Sequence, residues 1–405
     1  MLKYLIIQLD DTSVSYCHYG NKSVERNLIP LELLQKAIQW AMKENLSVQF
    51  VYPNYKLPIS YYDLIETIDH IDIAPVSAKQ DADILIYDNW DDIGRETSKA
   101  EVAVLRTTKL LLFHKYNLLK NACEKFSKIN LVIIDVESFT EEDFQTYDKI
   151  LKDLSKIIEE VIISGKSIQF NLLTDRMFLK KMNNCNAGFE SITLAPNGKF
   201  YICPAYYLDN DKNNVGDVVS GLNIPNRQLY RLNNAPICRN CDAFQCHRCI
   251  WLNEKTTLEV NTPSREQCVL AHIERNASRE LLLSIREKGE FLKEYDIPKI
   301  NYLDPFDLIE KKIKMKKLVG QVTIDEKKEI QFLFERRNGL NELAKILTVE
   351  NDALYEKLVN DLGETNSKYQ QWWSDMAAKY QWESFDNGNW EIDFQDCKIY
   401  LVVQE

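Results

Sequence analysis

Tyr4-Leu5-Ile6-Ile7-Gln8-Leu9-Asp10-Asp11-Thr12-Ser13-Val14-Ser15-Tyr16-Cys17-His18-Tyr19, residues 4–19, is the stretch on which the fold turns. The run from Tyr4 to Leu9 is short and apolar, the pattern of a strand buried on both faces, and it stops at two carboxylates. Runs of the same kind recur at Ser47 to Tyr52, Ile71 to Ala74, Ala82 to Tyr87, Leu131 to Val136 and Ile168 to Leu173. Between them the sequence reads as helix, over Pro30 to Asn45, Val102 to Ile129 and Thr140 to Ile163. The last of these opens with Thr140 and Asp143 at capping-box spacing. Strand–helix alternation of this kind predicts right-handed βαβ units on a parallel sheet, and so an α/β domain over residues 1–180. Pattern alone does not say whether the units close toward a barrel or stay open.

Composition narrows the function. A chain of 405 residues that is 45% hydrophobic has room for two or three packed domains. The apolar opening is too short for a signal peptide and has no small-residue cleavage site, and no run approaches the roughly 20 apolar residues of a membrane span. The expectation is a cytoplasmic protein with no membrane partner, in which ten cysteines stay reduced. A net charge of −11 argues against nucleic acid, which needs a basic face. With five histidines in the chain, metal chemistry here must lean on sulfur.

From Asn184 to about Arg275 the character changes, and seven of the ten cysteines fall there. Cys185 is followed by Gly198 and Cys203, then by Cys238-x2-Cys241-x4-Cys246-x2-Cys249, and last by Cys268. A Cys-x2-Cys pair presents two thiolates from one tight turn, and two such pairs in close succession can surround a cluster or feed two neighbouring ones. Gly198, in Pro196-Asn197-Gly198-Lys199, fits a hairpin turn that sets Cys203 on the returning strand. The composition of residues 181–300 is that of a small domain held by metal. Structural zinc is the competing reading, since tetrahedra of four cysteine thiolates use the same knuckles. Against it, the gap between the pairs is short and three cysteines are left without a fourth. Inert buried thiols account for Cys123 and Cys397 but not for seven in one region. His247, between Cys246 and Cys249, is a further ligand or hydrogen-bond donor to a cluster sulfur, or simply an exposed residue of the knuckle.

This arrangement resembles the SPASM domain, the auxiliary-cluster module of many radical-SAM peptide-modifying enzymes, although its middle stretch is shorter by a single residue at two places. The resemblance implies that Cys185, Cys203 and Cys249 serve one [4Fe-4S] cluster, whose fourth iron is open or bound by water, substrate or another side chain. It assigns Cys238, Cys241, Cys246 and Cys268 to a second. A radical-SAM enzyme also needs Cys-x3-Cys-x2-Cys in the loop after its first strand. Here Tyr16-Cys17-His18-Tyr19 resembles the tail of that loop, but Asp10 and Val14 stand where the other two thiolates belong. Residues 1–180 are therefore read as a degenerate radical-SAM-like partial (β/α) barrel without a SAM cluster. Radical-SAM activity of the chain's own is not expected. Residues 1 to about 300 resemble the CXXX repeat peptide maturase family, most specifically through Leu9 to Tyr19.

A third region, residues 315–405, carries 11 Lys and Arg against 17 Asp and Glu, and so supplies six of the eleven net negative charges. The basic stretch Glu310 to Lys317 reads as a solvated joint before it. Helices over Asp325 to Leu347 and Asn351 to Tyr380, then strands at Trp390 to Phe394 and Ile399 to Val403, predict an α+β domain. The adjacent Trp372 and Trp373 read as core, with one of them free to offer a contact surface. This region resembles a small CXXX repeat peptide modification-system protein, fused to the chain. Together the resemblances imply an accessory iron–sulfur protein with one or two [4Fe-4S] clusters. It would act beside a separate radical SAM enzyme on a Cys-rich precursor peptide made on the ribosome. The alternative is a non-catalytic scaffold, held by zinc or clusters, that binds the peptide or the partner enzyme. Asp10 and Asp11, at the end of the first strand, read as capping groups before a cation or amine site.

Overall fold

The computed structural model describes residues 2–93, 100–246, 248–289, 292–293, 295–300, 315–346, 352–384 and 388–403. His247 and the section of the basic joint before Met315 lie outside them. The chain divides into two units, Met1–Pro305 and Phe306–Glu405.

The first unit is built on a nine-stranded sheet in the order β7-β6-β5-β4-β3-β2-β1-β8-β9. The strands are β1 (Tyr4–Gln8), β2 (Ser47–Val51), β3 (His70–Pro75), β4 (Ile84–Tyr87), β5 (Val102–Thr107), β6 (Lys128–Ile133), β7 (Gln169–Phe170), β8 (Ser191–Leu194) and β9 (Phe200–Tyr201). All neighbours pair in parallel except β8 and β9, which form an antiparallel hairpin. The order does not return on itself, so the sheet is the partial barrel of a radical-SAM-like α/β fold. Gly198 makes the β8–β9 turn at φ +81°, and a Cβ there would meet the Leu33 side chain at 2.9 Å.

Alternation along the strands sorts side chains onto the two faces. Leu5, Ile7, Leu85, Leu105 and Leu131 join the large core beneath the helices. Their neighbours Ile6, Val51, Ile73, Ile86, Val104 and Val132 form a second apolar layer on the opposite face, and Val14 and Tyr16 of the loop after β1 pack onto it. The helix α1 (Leu31–Lys43) covers the first face with Leu34, Ala37, Ile38 and Ala41. The later helix Glu141–Ile163 starts at the predicted capping box and buries Phe144, Tyr147, Ile150, Leu151, Leu154 and Ile158.

One expectation fails on that face. Val102 to Ile129 is not one helix: Val102–Thr107 is β5, followed by short helices at Lys109–Lys115 and Leu119–Lys125 and the start of β6 at Lys128. The apolar residues of Val102-Ala103-Val104-Leu105 run continuously and are β-branched at alternate positions, which suits a strand buried on both faces. Thr108 then caps the following helix by accepting from Leu111 N.

The second unit holds a three-stranded antiparallel sheet in which Lys398–Val403 lies between Met315–Gln321 and Gly388–Asp393. Of the stretch Glu310 to Lys317 read as a solvated joint, Met315 to Lys317 belong instead to an edge strand, Met315–Gln321, paired from Met315↔Val403 to Gln321↔Lys398 with a bulge between Leu318 and Gly320. Lysine is common on sheet edges, where it discourages further pairing, so a basic run there does not exclude a strand. The helices Ile324–Ile346 and Asp352–Tyr380 complete the unit. Its core gathers Trp372, Trp382, Ile330, Leu333 and Ile399, and Trp373 packs edge-to-face on Trp372 at 5.1 Å. Among the described residues no helix is long and apolar enough to cross a membrane.

Candidate metal centre

All ten cysteines are free thiols. Eight of them fall into two groups.

Cys238, Cys241, Cys246 and Cys268 make one group. Cys238 and Cys241 flank a single 3₁₀ turn, Cys246 follows a short loop, and Cys268 stands in the first turn of the helix Arg265–Lys288. Cys246 interacts electrostatically with each of the other three. Burial pushes the thiols up, Cys238 to about 11 and Cys268 to about 12. The His272 ring, one turn beyond Cys268, brings Nε2 to 3.8 Å from Cys241 Sγ. Burial, helped by the Arg275 charge, lowers His272 to about 4, so it is neutral and can donate to sulfur.

Cys185, Cys203 and Cys249 make the other group, and Cys17 stands with them. Cys185 precedes β8, Cys203 lies two residues past β9 at the start of the helix Pro204–Asp209, and Cys249 caps the helix Ile250–Thr257 with its sulfur 3.5 Å from Leu252 N. Cys17 hydrogen-bonds to Cys249 and interacts with Cys185 and Cys203. The hydrogen bond, aided by the charges of His18 and Arg106, lowers Cys17 against the cost of burial and raises Cys249. Cys185 is the most exposed of the four by surface. Its thiol is nonetheless crowded enough that desolvation raises it, with the Cys17 charge adding to the rise.

The loop that carries Cys17 is held by buried polar contacts. Arg106, from β5, donates Nε to Cys17 O at 3.1 Å, Nη2 to Tyr19 O at 2.6 Å and Nη1 to Asp88 at 2.6 Å. His18 Nδ1 lies 2.9 Å from Ile133 O at the end of β6. Asp10 is fully buried and accepts from Thr12 N at 2.8 Å and Tyr55 Oη at 2.9 Å, an Asx turn within the loop rather than a helix cap or a solvated group. Asp11 accepts from Tyr207 Oη at 2.5 Å, which ties the loop to the helix after Cys203. Sequence reasoning set Cys17 aside. The signal that finds it is arithmetic: seven thiols leave one group a ligand short, and Cys17 alone among the other three stands in the loop after the first strand.

Arg248 joins the two groups. Its buried guanidinium hydrogen-bonds to Cys238, interacts with Cys185 and donates Nη2 to Asn261 at 2.5 Å. Beside Cys246 a small cavity of about 40 Å³ lies against the end of β6, with His18, Ile133, Gln267 and Glu274 in its wall. Burial raises the Glu274 carboxyl to about 8, and Tyr147 Oη donates to it at 2.8 Å.

Thiols in this number suit soft or borderline metals. Among the described residues no three histidine, cysteine or acidic side chains converge closely enough to hold a single metal ion. A tetrahedral zinc with bonds of about 2.3 Å would draw its sulfurs to within about 4 Å of one another. Four thiols is the donor number of a four-iron cube, one to each iron, and of a tetrahedral zinc alike.

No family model and no curated protein matches the chain. Among solved structures it is similar to a hexahistidine-tagged "anSMEcpe with bound AdoMet", at TM-score 0.50 and 13% identity over 73% of this chain and 98% of that one. It is likewise similar to "Native anSMEcpe with bound AdoMet and Cp18Cys peptide", at TM-score 0.50 and 13% identity over 71% of this chain and 100% of that one. At this identity the likeness shows the shared fold.

Proposed function

We propose that the chain is an accessory iron–sulfur protein in the maturation of a ribosomally made Cys-rich peptide, working beside a separate radical SAM enzyme. Residues 1–180 supply a radical-SAM-like scaffold without a SAM cluster, residues 181–300 carry the ligands, and residues 315–405 form an appended partner-like unit. The reading rests on one observation: thiols gather in two groups, while the loop after β1 brings one cysteine where SAM chemistry needs three. The bound Cp18Cys peptide of a structure with this fold supports a peptide as substrate.

Cys238, Cys241, Cys246 and Cys268 hold one [4Fe-4S] cluster, and Cys185, Cys203 and Cys249 hold the other. When bound, such clusters supply one-electron transfer or an iron site for a soft ligand. The chain's own residues set the conditions. Arg248 places a buried positive charge between the groups, His272 is aimed at the Cys241 sulfur, and Glu274, held neutral by burial, lines the small cavity beside Cys246. The raised thiol pKa values mean that ligation releases protons, so metal affinity rises with pH.

The test is iron, zinc and sulfide content of anaerobically purified protein, together with an optical spectrum. About eight irons with matching sulfide are expected for two clusters. One or two zincs without sulfide would overturn the reading in favour of a zinc-held scaffold. In co-expression with peptide and partner, Cys249→Ala should abolish the modification while the partner still cleaves SAM.

A further inference from the structure

We propose that Cys17 is the fourth protein ligand of the cluster held by Cys185, Cys203 and Cys249, and that this cluster therefore has no iron open to a substrate thiolate. The inference rests on the cluster reading above and narrows it. With both clusters closed by protein, the role left to them is electron transfer without substrate ligation.

Position is the first argument. Cys17 hydrogen-bonds to Cys249 and stands against Cys185 and Cys203, so the group is a thiol tetrad matching the one formed by Cys238, Cys241, Cys246 and Cys268. The four residues come from three separate places: the loop after β1, the flanks of the β8–β9 hairpin, and the start of the helix Ile250–Thr257.

Pre-organisation is the second. Arg106 clamps the backbone on both sides of His18 through the Cys17 and Tyr19 carbonyls, and Val14 and Tyr16 pack into the apolar layer on the sheet. Asn21 closes the loop, donating Nδ2 to Asp11 O at 2.7 Å and to Ser13 O at 2.8 Å. A side chain held this way adds a metal bond at small entropic cost.

The rival fourth ligand is Tyr19. Its hydroxyl is buried, has no hydrogen-bond partner among the described residues, and lies near Cys17 and Cys203. Phenolate is a harder donor than thiolate, and iron in an iron–sulfur cube favours the thiolate. Tyr19 Oη is better placed to donate a hydrogen bond to a sulfur of the bound group. On binding, the Cys17 sulfur replaces water on the fourth iron and its proton leaves to solvent. Iron and sulfide keep their oxidation states.

The experiment uses the full chain loaded with iron and sulfide, as wild type, Cys17→Ala, Cys17→Ser and Tyr19→Phe. Electron paramagnetic resonance of the reduced proteins is recorded with and without 2-mercaptoethanol. The wild-type and Tyr19→Phe spectra should not respond to the thiol. Cys17→Ala should gain a thiol-responsive signal from one cluster, and Cys17→Ser should shift that signal without added thiol. A wild-type spectrum as responsive as that of Cys17→Ala would overturn the assignment while leaving the clusters themselves in place. A wild type that holds no iron would overturn the assignment and the cluster reading together. Should Cys17→Ala fail to load, alkylation mapping of the wild type decides. Cys17 protected with iron bound and labelled after its removal supports ligation; Cys17 labelled in the loaded protein refutes it.

Discussion

Arg106→Met should loosen the Cys17 loop while leaving the sheet intact. Methionine keeps most of the apolar stem of arginine and so most of its packing, but it donates nothing. Two backbone carbonyls, Cys17 O at 3.1 Å and Tyr19 O at 2.6 Å, lose a charged donor. Hydrogen bonds from charged donors contribute about 1.5–3 kcal/mol each. The third contact adds little, because the Asp88 side chain is 63% exposed and an ion pair of that kind is worth about 0–1 kcal/mol. Some relief comes from water reaching the half-buried Cys17 carbonyl, so the expected loss is about 3–5 kcal/mol in the free energy of loop opening. Hydrogen exchange read by mass spectrometry measures that quantity directly. Amides between residues 13 and 21, among them Val14 N on Tyr52 O at 3.0 Å, should exchange roughly 10²- to 10⁴-fold faster. Peptides from the helix Ile324–Ile346 in the second unit should not change. Exchange within threefold of wild type across residues 13–21 would refute the claim that Arg106 holds the loop.

Gly320→Val should destabilise the second unit by about 1–3 kcal/mol, read as a lower urea midpoint of tryptophan fluorescence, because a Cβ at Gly320 collides with the Trp382 indole. Burial works against ionisation of Glu326, but hydrogen bonds from Lys379, Thr323 and Tyr380 outweigh it and hold the carboxyl at about 2. A depressed folded pKa gives stability that is present above the unfolded value of about 4.5 and lost as pH falls toward 2. Acid titration of the second unit's fluorescence should therefore show a loss of roughly 2–3 kcal/mol in that window, discounted for the exposed Lys379, and Glu326→Gln should flatten it. Cys123 is 1% exposed and burial pushes its thiol up to about 12, so brief native alkylation should leave it unlabelled with or without metal. Labelling at Cys123 faster than at Cys185 would contradict that burial.

Period and β-branching made most of the first sheet readable. Tyr4 to Leu9 and Ser47 to Tyr52 each predict a strand that the structure ends one residue earlier, and the Thr140–Asp143 capping box fixes its helix start. Val102 to Ile129 misled because a buried strand and a buried helix are both continuous apolar runs, and the strand there is followed at once by real helices. Met315–Gln321 was hidden by its lysines, which mark the edge of a sheet as readily as a linker. At the site, the division of the central cysteines into two sets comes from the resemblance to the SPASM domain, since spacing alone would pair Cys246 with Cys249. Spacing could not place Cys17, 168 positions before Cys185 in the chain, since that proximity depends on β8 pairing with β1. Arg106, Arg248 and His272 were equally silent, because an arginine or histidine shows its partners only in three dimensions.

The antiparallel sheet of the second unit has a consequence for how the chain is made. Met315–Gln321 emerges from the ribosome first, yet its partner in the sheet is Lys398–Val403, the last of the three strands to be synthesised. Until that strand arrives, the early one is a free edge with its hydrogen-bonding groups open to solvent. The unit therefore cannot mature stepwise during translation as the βαβ portion can, where β2 follows and pairs with β1. Its lysines at 316 and 317 fall on the strand exposed for longest, where charge keeps nascent chains from pairing with one another.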